Sequence, residues 1–199
     1  MLIDWKDLGI ENNISRLLHV GGHLAEEAEI YDDRVDEVVW IEADIDRARE
    51  IKNLTGDEVI CAVVGDANRE VTFHEANNGQ SSSILELGTH KQVHPEVEYI
   101  SERTVQMYPL STVIESLDLG SFEMLNLDIQ GAELMALKGL GDHIDSVNYI
   151  YTEVNRKKLY KDCCLIGEID SFLFSHGFQR AKVVWTDFGW GDAFYVRKN

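Results

Sequence analysis

The order of apolar and polar segments constrains the fold of this sequence more than any other feature. Four of five short apolar runs are followed by a polar stretch that is compatible with a helix. Short apolar runs predict buried strands, and helical crossovers predict that these strands run parallel in a sheet covered on both faces. The five runs are Ile14–Val20, Val38–Ile41, Val59–Val64, Met124–Leu127 and Val147–Val154. The predicted helices are Leu24–Tyr31, Asp44–Leu54, Gly131–Lys138 and Leu165–Ser175.

The end of the chain departs from this alternation. Phe178–Trp185 and Asp192–Val196 are strand-like, and the segment Thr186–Gly191 between them is too short for a helix. Such a pair predicts an antiparallel hairpin. The sequence therefore predicts an α/β fold, with a mainly parallel seven-stranded sheet that ends in a C-terminal antiparallel hairpin.

The domain organisation follows from length and from the spacing of these elements. A chain of 199 residues without a Ser/Gly-rich linker suits one domain, so we expect residues 1–199 to form a single unit. An insertion at about residues 77–98 is longer than most connections, which indicates a lid or a substrate loop. Its serine cluster, Ser81–Ser83, is expected to cap a short helix that begins near Ile84.

Charge and cysteine content exclude several classes of protein. With 18 Lys and Arg against 36 Asp and Glu, the formal charge of −18 disfavours binding to nucleic acid or to an anionic membrane. The first residues do not resemble a signal peptide, and no apolar stretch is long enough to span a bilayer. Cys61, Cys163 and Cys164 fit neither a disulfide framework nor zinc-site spacing. We expect packing thiols in a cytoplasmic protein.

The first strand-to-helix turn contains Gly21 and Gly22, which either let a ligand approach the main chain or merely form a tight turn. A dinucleotide fingerprint G-x-G-x-x-G would need glycines where His23 and Glu26 stand, so this pattern fails. Carboxylates such as Glu26 at the start of a helix suit a ligand with cationic groups. The turn therefore favours S-adenosylmethionine, which carries a sulfonium and an ammonium, over NAD.

Carboxylates stand at the carboxyl ends of three of the predicted strands. Glu42, Asp128 and Glu153 stand at or near strand ends, where the ligand crevice of an open parallel sheet lies. Glu42 can accept hydrogen bonds from two ribose hydroxyls, whereas Asp44 is expected to cap the next helix. Glu133, in contrast, is also explained by its place near a helix N-terminus. Converging carboxylates of this kind indicate a functional site.

Several motifs together resemble an FkbM-type methyltransferase. They are HVGGHLAEE, WIEAD, QSSSILELGTHKQVHPEV, LDIQGAELMALKG and TEVNRKKLY, in this order between about residues 16 and 178. LDIQGAELMALKG is the most specific, because it matches almost all of the family's D-V-E/Q-G-A-E-x-x-x-L-K-G. The resemblance implies the Rossmann-like sandwich of class I methyltransferases, S-adenosylmethionine as cofactor, and O-methylation of a sugar or small-metabolite hydroxyl. The acceptor would then be a small molecule or a glycan.

The resemblance also implies roles for individual residues. Asp128 would lie near the methionine moiety and the transferred methyl, and Glu42 would hold the ribose. The full set expected at the cofactor is Val20, Gly21, Gly22, His23, Glu42, Ala43, Ala62, Val63, Ser82 and Asp128. The chain departs from the family at His19, where the family usually has Asp, and at Ala25, where it has Gly. We expect His19 to be a neutral, buried histidine.

Methyl transfer to oxygen benefits from a group that removes the hydroxyl proton. The catalytic candidates are Asp128, His94 and Glu153, with Glu133 as a less favoured base, and the sequence does not choose a base among them. His90 and His94 are spaced to share one helix face, but no third metal ligand is evident, so we expect no metal site. Aromatic residues of the terminal hairpin either form a sugar-stacking platform or pack the end of the sheet; they are Trp185, Phe188 and Trp190. A Rossmann-like protein that binds a nucleotide or cofactor without methyl transfer is the alternative.

Overall fold

The computed structural model describes residues 1–198 and contains ten strands and six α-helices in that range. The strands are β1 (Ile14–Val20), β2 (Val35–Glu42), β3 (Glu58–Cys61), β4 (Val63–Gly65), β5 (Arg69–Ala76), β6 (Tyr99–Pro109), β7 (Met124–Leu127), β8 (Tyr149–Asn155), β9 (Phe178–Trp185) and β10 (Trp190–Arg197). The helices are α1 (Ala28–Tyr31), α2 (Ile45–Thr55), α3 (His90–Val93), α4 (Leu110–Ser116), α5 (Glu133–Gly139) and α6 (Ile166–Ser175). Two short 3₁₀ helices cover Trp5–Asp7 and Gly141–Ser146.

The main sheet has seven strands in the order β3-β2-β1-β7-β8-β10-β9. Five neighbouring strands of this sheet run parallel: β3, β2, β1, β7 and β8. The strands β10 and β9 form the antiparallel hairpin at one edge. Buried apolar side chains pack on both faces of the sheet, in two separate clusters. The predicted α/β fold with its C-terminal hairpin is confirmed.

The strand register brings the carboxyl ends of the central strands together. Val20 at the end of β1 pairs with Ile41 of β2 and with Leu127 of β7. Leu127 pairs in turn with Thr152 of β8. The residues that follow these positions therefore leave the sheet side by side at one edge.

A second sheet of three strands, in the order β4-β6-β5, was not predicted. The apolar run Val59–Val64 is not one strand, because it divides at Ala62 into β3 of the main sheet and β4 of the second sheet. The N–H of Ala62 donates to the carbonyl of Glu42 at 3.1 Å, and the next residues pair with β6. Most residues of β5 and β6 are polar and at least partly exposed, so these strands lack an apolar pattern.

Two helix predictions were wrong in their bounds. The helix expected over Leu24–Tyr31 begins only at Ala28, because His23 and Ala25 adopt positive φ angles of 42° and 54°. No helix begins near Ile84; the first helix of the insertion is α3, which begins at His90. The serine cluster instead stabilises turns, because the hydroxyl groups of Ser82 and Ser83 donate hydrogen bonds to the backbone carbonyls of Gly79 and Gln130.

The second predicted helix is confirmed, including its cap. The Asp44 side chain accepts hydrogen bonds from the N–H groups of Asp46 and Arg47 at 2.9 and 3.0 Å, at the start of α2.

Within residues 1–198, no helix combines the length and the apolar character needed to cross a lipid bilayer.

Candidate functional site

Two cavities lie beside the carboxyl ends of the central strands. The first has a volume of about 310 Å³ and the second a volume of about 530 Å³. Gly21, His23, Gln80, Asp128 and Gln130 line both of them. The two cavities therefore meet at the ends of β1 and β7.

Glu42, at the end of β2, is the most deeply buried carboxylate in the wall of the first cavity. It is only 9% exposed, and its carboxylate accepts hydrogen bonds from the N–H groups of His23 and Asp44, at 2.9 and 2.8 Å. Burial raises the pKa of this carboxyl above its usual range. Each oxygen has one donor, and a carboxylate can accept about four hydrogen bonds. Glu42 can therefore accept two more from a ligand.

The first cavity gathers nearly all residues that were predicted to bind a cofactor. Gly22 is the exception, because it is buried and a Cβ there would lie 2.7 Å from the Ile51 side chain and 3.0 Å from Trp40. Gly22 thus allows close packing of α2 on the sheet. The predicted residues that line the cavity are Val20, Gly21, His23, Glu42, Ala43, Ala62, Val63, Ser82 and Asp128.

Gly21 has a structural reason to be glycine. Its φ angle is +90°, and a Cβ at this position would lie 1.8 Å from the backbone carbonyl oxygen of Asp128. The turn after β1 therefore lets the main chain after β7 approach closely. This contact places Asp128 at the junction of the two cavities.

Asp128 and Glu153 are joined by one amide group. The Gln130 side chain donates from Nε2 to Asp128 Oδ1 at 2.6 Å and to Glu153 Oε2 at 3.1 Å. The Tyr160 hydroxyl donates to Gln130 Oε1 at 2.6 Å, which fixes which end of the amide faces the carboxyl groups. Gln130 has a positive φ of 55°, and its carbonyl accepts a hydrogen bond from Ser83. Gln130 therefore holds the carboxyl group of Asp128, which follows β7, next to that of Glu153 in β8.

The carboxyl groups at the junction hold protons more tightly than free carboxylates. Burial, followed by the charge of Asp192, raises the pKa of Asp128, although its side chain is open to both cavities. Burial raises the pKa of Glu153 well above its usual range, and the nearby charge of Asp128 raises it further. A cation placed beside these groups would lower both pKa values.

Glu133 does not reach either cavity and has a structural role. It is fully buried and lines neither cavity, and its Oε1 accepts hydrogen bonds from the N–H groups of Ile129 and Gly131 at 3.1 and 2.9 Å. Burial raises the pKa of its carboxyl to about 7. Glu133 therefore braces the turn between β7 and α5.

The insertion brings two histidines to the second cavity. The rings of His90 and His94 lie 5.0 Å apart, and both residues line this cavity. His94 Nδ1 lies 3.5 Å from Glu96, whereas Nδ1 of the buried His90 has no hydrogen-bond partner within residues 1–198. No three His, Cys, Asp or Glu side chains in that range are grouped as metal ligands.

His19 is buried, as expected. It is 2% exposed, its Nδ1 lies 3.2 Å from the Tyr31 hydroxyl, and its ring stacks on Trp40 at 4.6 Å. Burial lowers its pKa to about 4, so the imidazole is neutral at physiological pH. His19 fills the space under the first turn, where it also reaches the wall of the second cavity.

Asp192 was not predicted as a site residue. The pairing of β10 with β8 sets Asp192 opposite Glu153, and both line the second cavity. Its carboxylate accepts hydrogen bonds from the Tyr151 hydroxyl and, at 2.6 Å, from the N–H of Leu2. The only available sequence signal was an acidic residue within an otherwise apolar strand.

The hairpin aromatics divide between several environments. Trp190 lines the second cavity, and Phe188 lies 4.8 Å from the ring of His94. Trp185 does not line either cavity, since Arg156 covers its ring at 4.0 Å. A continuous stacking platform of three rings is therefore not present.

Comparisons with known proteins agree with this architecture. The family model described as the methyltransferase FkbM domain matches residues 18–180. A search among curated proteins found no match.

Solved structures resemble the chain in fold. The FkbM methyltransferase from Methylobacillus flagellatus has 13% identity and a TM-score of 0.59, over 92% of this chain and 43% of that one. The magnesium protoporphyrin IX methyltransferase from Synechocystis, with bound S-adenosylmethionine, has 11% identity and a TM-score of 0.52, over 94% and 71% of the two chains. TrmK from M. capricolum, in complex with S-adenosylhomocysteine, has 9% identity and a TM-score of 0.51, over 100% and 70%. The chain thus has the fold of class I methyltransferases and spans less than half the length of the M. flagellatus protein.

Proposed function

Because the chain belongs to the FkbM methyltransferase family, we propose that it transfers the methyl group of S-adenosylmethionine to a hydroxyl of a sugar or other small molecule. The observation that carries this proposal is the position of Asp128. It lies where a cavity suited to an adenosine meets a second cavity that is lined by ionisable side chains. A methyl donor and an acceptor that occupied these two cavities would meet beside its carboxyl group.

The first cavity fits the adenosine part of S-adenosylmethionine. Glu42 has lone pairs free for both ribose hydroxyls, and Ala43, Ala62 and Val63 leave room for the flat adenine ring. The acidic junction suits the sulfonium and ammonium groups of the methionine part. The two relatives with bound S-adenosylmethionine or S-adenosylhomocysteine support this choice. When bound, the cofactor supplies an electrophilic methyl carbon.

In the transfer, the acceptor oxygen forms a bond to the methyl carbon while the carbon–sulfur bond breaks. The bonding electron pair goes to sulfur, and the hydroxyl proton goes to a base of the protein. We assign Asp128 the orientation of the reacting groups, and His94 or Glu153 the acceptance of the proton. Both of these candidates line the second cavity, whereas the buried Glu133 does not reach it. Alignment of the reacting atoms would supply much of the rate.

The insertion serves as the lid in this proposal, within a single methyltransferase domain of residues 1–199. It is fastened to the segment after β8, because the N–H groups of Gly88 and His90 donate to the carbonyl of Leu159 at 2.7 and 3.1 Å. Asn78, Gln80 and Ser81 contribute to the wall of the second cavity. Acceptor choice would therefore depend on residues 77–98 and on the hairpin.

Calorimetry separates this proposal from a redox function. S-adenosylmethionine and S-adenosylhomocysteine should bind with measurable heat, and NAD should not. Folded protein that binds NAD but not S-adenosylhomocysteine would contradict the proposal. Cofactor binding without transfer to any of a broad set of hydroxyl acceptors would instead favour a binding protein.

The orienting role of Asp128 and the proton-accepting role of His94 are tested by single-turnover rates with an identified acceptor. Asp128→Asn and His94→Ala should each lower the rate, whereas exposed Asp145→Asn, on the far 3₁₀ helix, should leave it unchanged. Full rates in both site variants would refute the assigned roles of Asp128 and His94.

A further inference from the structure

We propose that the acceptor carries a positively charged amine near the hydroxyl that is methylated, as in an amino sugar or an amino polyol. This inference rests on the proposed function and narrows its substrate class. It also predicts that anionic acceptors are excluded.

The wall of the second cavity has a strong excess of acidic groups. Six carboxyl side chains line it, and no Lys or Arg side chain within residues 1–198 does so. Among the described residues, the one cationic group of this wall that does not depend on histidine protonation is the amine of Met1, which pairs with Glu27 at 2.9 Å. The six acidic residues are Glu26, Glu27, Glu96, Asp128, Glu153 and Asp192.

Three of the six carboxyl groups have partners that can carry a positive charge. Besides Glu27, Glu26 lies 2.8 Å from His23 Nδ1 and Glu96 lies 3.5 Å from His94 Nδ1. The other three are Asp128, Glu153 and Asp192; the positive charge of the Met1 amine acts on Asp128 and Asp192, but the amine is paired with Glu27. Within the described chain, their hydrogen bonds come from neutral groups: the Gln130 amide, the Tyr151 hydroxyl and a backbone N–H.

The cofactor alone does not balance these three groups. S-adenosylmethionine has one net positive charge, since its ammonium and carboxylate cancel and its sulfonium remains. Two of the three carboxyl groups would then still need a proton or a second cation. Burial raises the pKa values of Glu153 and Asp192, which favours the protonated forms of both groups while the acceptor is absent. An ammonium group would replace a proton and form a charge-assisted hydrogen bond.

Other side chains of the cavity suit the remainder of such an acceptor. His90 is 6% exposed, its Nδ1 has no partner within residues 1–198, and burial lowers its pKa. A neutral imidazole that lacks a partner can exchange a hydrogen bond with a hydroxyl. Trp190 and Tyr160 add aromatic surface to the wall, and such faces attract both sugar rings and cations.

The test compares three six-carbon polyols that differ at one terminal group: glucamine (an amine), sorbitol (a hydroxyl) and gluconate (a carboxylate). Each is titrated by calorimetry into protein saturated with S-adenosylhomocysteine at neutral pH. We expect glucamine to bind at least about tenfold more tightly than sorbitol, as one charge-assisted hydrogen bond implies, and gluconate not to bind. In buffers of different ionisation enthalpy, glucamine binding should release protons and sorbitol binding should not.

The variant Asp192→Asn should reduce the preference for glucamine over sorbitol to less than about threefold, because one partner of the ammonium loses its charge. Asp145→Asn, an exposed change of the same chemistry, should keep the full preference. Thermal melts confirm that both variants are folded. Equal or tighter binding of sorbitol or gluconate overturns the inference, as does absence of glucamine binding to protein that holds S-adenosylhomocysteine. Loss of S-adenosylhomocysteine binding itself would refute the proposed function instead.

Discussion

The two cavities of this protein are built in different ways, although they share a wall. The first is formed by the turns that follow β1, β2, β3 and β7, by side chains of α2, β5 and β6, and by the start of the insertion. Glu42 is its most deeply buried carboxylate. The second is formed by side chains from segments far apart in the sequence: the N-terminus, the insertion, β8 and β10. The wall of the first follows from the sheet, whereas that of the second depends on long-range pairing.

This difference has a functional meaning. Strand-end turns and small side chains suit a ligand that all members of a family share, and the first cavity has this composition. A cavity made from loops and from ionisable side chains can change its ligand without disturbing the sheet. In our proposals the first cavity holds the cofactor and the second selects the acceptor. The following variants test whether the two functions separate.

Asp128→Asn should have the largest effect, because Asp128 belongs to both cavities. We expect the rate of methyl transfer at saturating cofactor to fall about 100-fold or more, as is typical when a group that acts on a reacting proton or its partner is lost. Affinity for S-adenosylhomocysteine should change less than about tenfold, since Glu42 is intact. Single-turnover kinetics and calorimetry measure the two quantities. A larger loss of affinity than of rate would assign Asp128 to the cofactor alone.

Glu42→Gln should affect only the first cavity. The amide cannot accept hydrogen bonds from two backbone N–H groups and two ribose hydroxyls as a carboxylate can, so affinity for S-adenosylhomocysteine should fall about 30-fold, or about 2 kcal/mol. The rate at saturating cofactor should stay within about threefold of the original. Glu58→Gln, an exposed change at the start of β3, is the matched control. Equal losses in both variants would exclude a specific role for Glu42.

The first cavity could largely be predicted from the sequence. Strands followed by helices place their ends at one edge, and this rule alone brings Gly21, Glu42 and Asp128 together. Asp44 was also predicted correctly as a helix cap, because capping depends on neighbouring residues. Gly22 shows the limit of the rule: it stands in the expected turn, yet it faces Ile51 and not the cavity.

The second cavity could not be predicted in the same way. Asp192 becomes a site residue only through the register of β10 on β8, which a sequence does not specify at the level of one residue. Tyr160 donates a hydrogen bond to Gln130 from a distant loop, and no local sequence pattern predicts that contact. The first cavity also has an unpredicted part, because β5 and β6, which contribute Phe73 and Ile100 to its wall, are mostly polar and gave no apolar signal.

Gln130→Met tests the link between the cavities with an intermediate effect. The Gln130 amide lowers the pKa values of Asp128 and Glu153 by donating to both carboxyl groups. Its loss should therefore shift the acidic limb of the transfer rate upward by about one pH unit, which is about a tenfold lower rate on that limb. Tyr160→Phe should shift it in the same direction by less, because the amide remains but loses its fixed orientation. A uniform loss of rate at all pH values would indicate a purely structural role.

The smallest expected effect concerns stability, to which the acidic groups and His19, all in the wall of the second cavity, contribute with opposite signs. Raised pKa values at Glu153 and Asp192 mean that the folded protein holds protons which the unfolded chain has released above about pH 4. Stability therefore falls as pH rises through this range and toward the raised pKa values. His19, with a pKa of about 4, acts oppositely: its contribution is lost as pH falls below about 6.5.

Because several acidic groups oppose the two histidines with lowered pKa values, His19 and His90, we expect the cofactor-free protein to melt about 2–4 °C lower at pH 7.5 than at pH 6. Glu153→Gln removes the carboxyl group whose pKa is raised well above its usual range and should reduce this difference, whereas Asp145→Asn should not. Thermal melts across this pH range measure both slopes. An unchanged slope in Glu153→Gln would place the source of the pH dependence outside the second cavity. A flatter one would tie the stability of the free protein to the charges that the acceptor is proposed to neutralise.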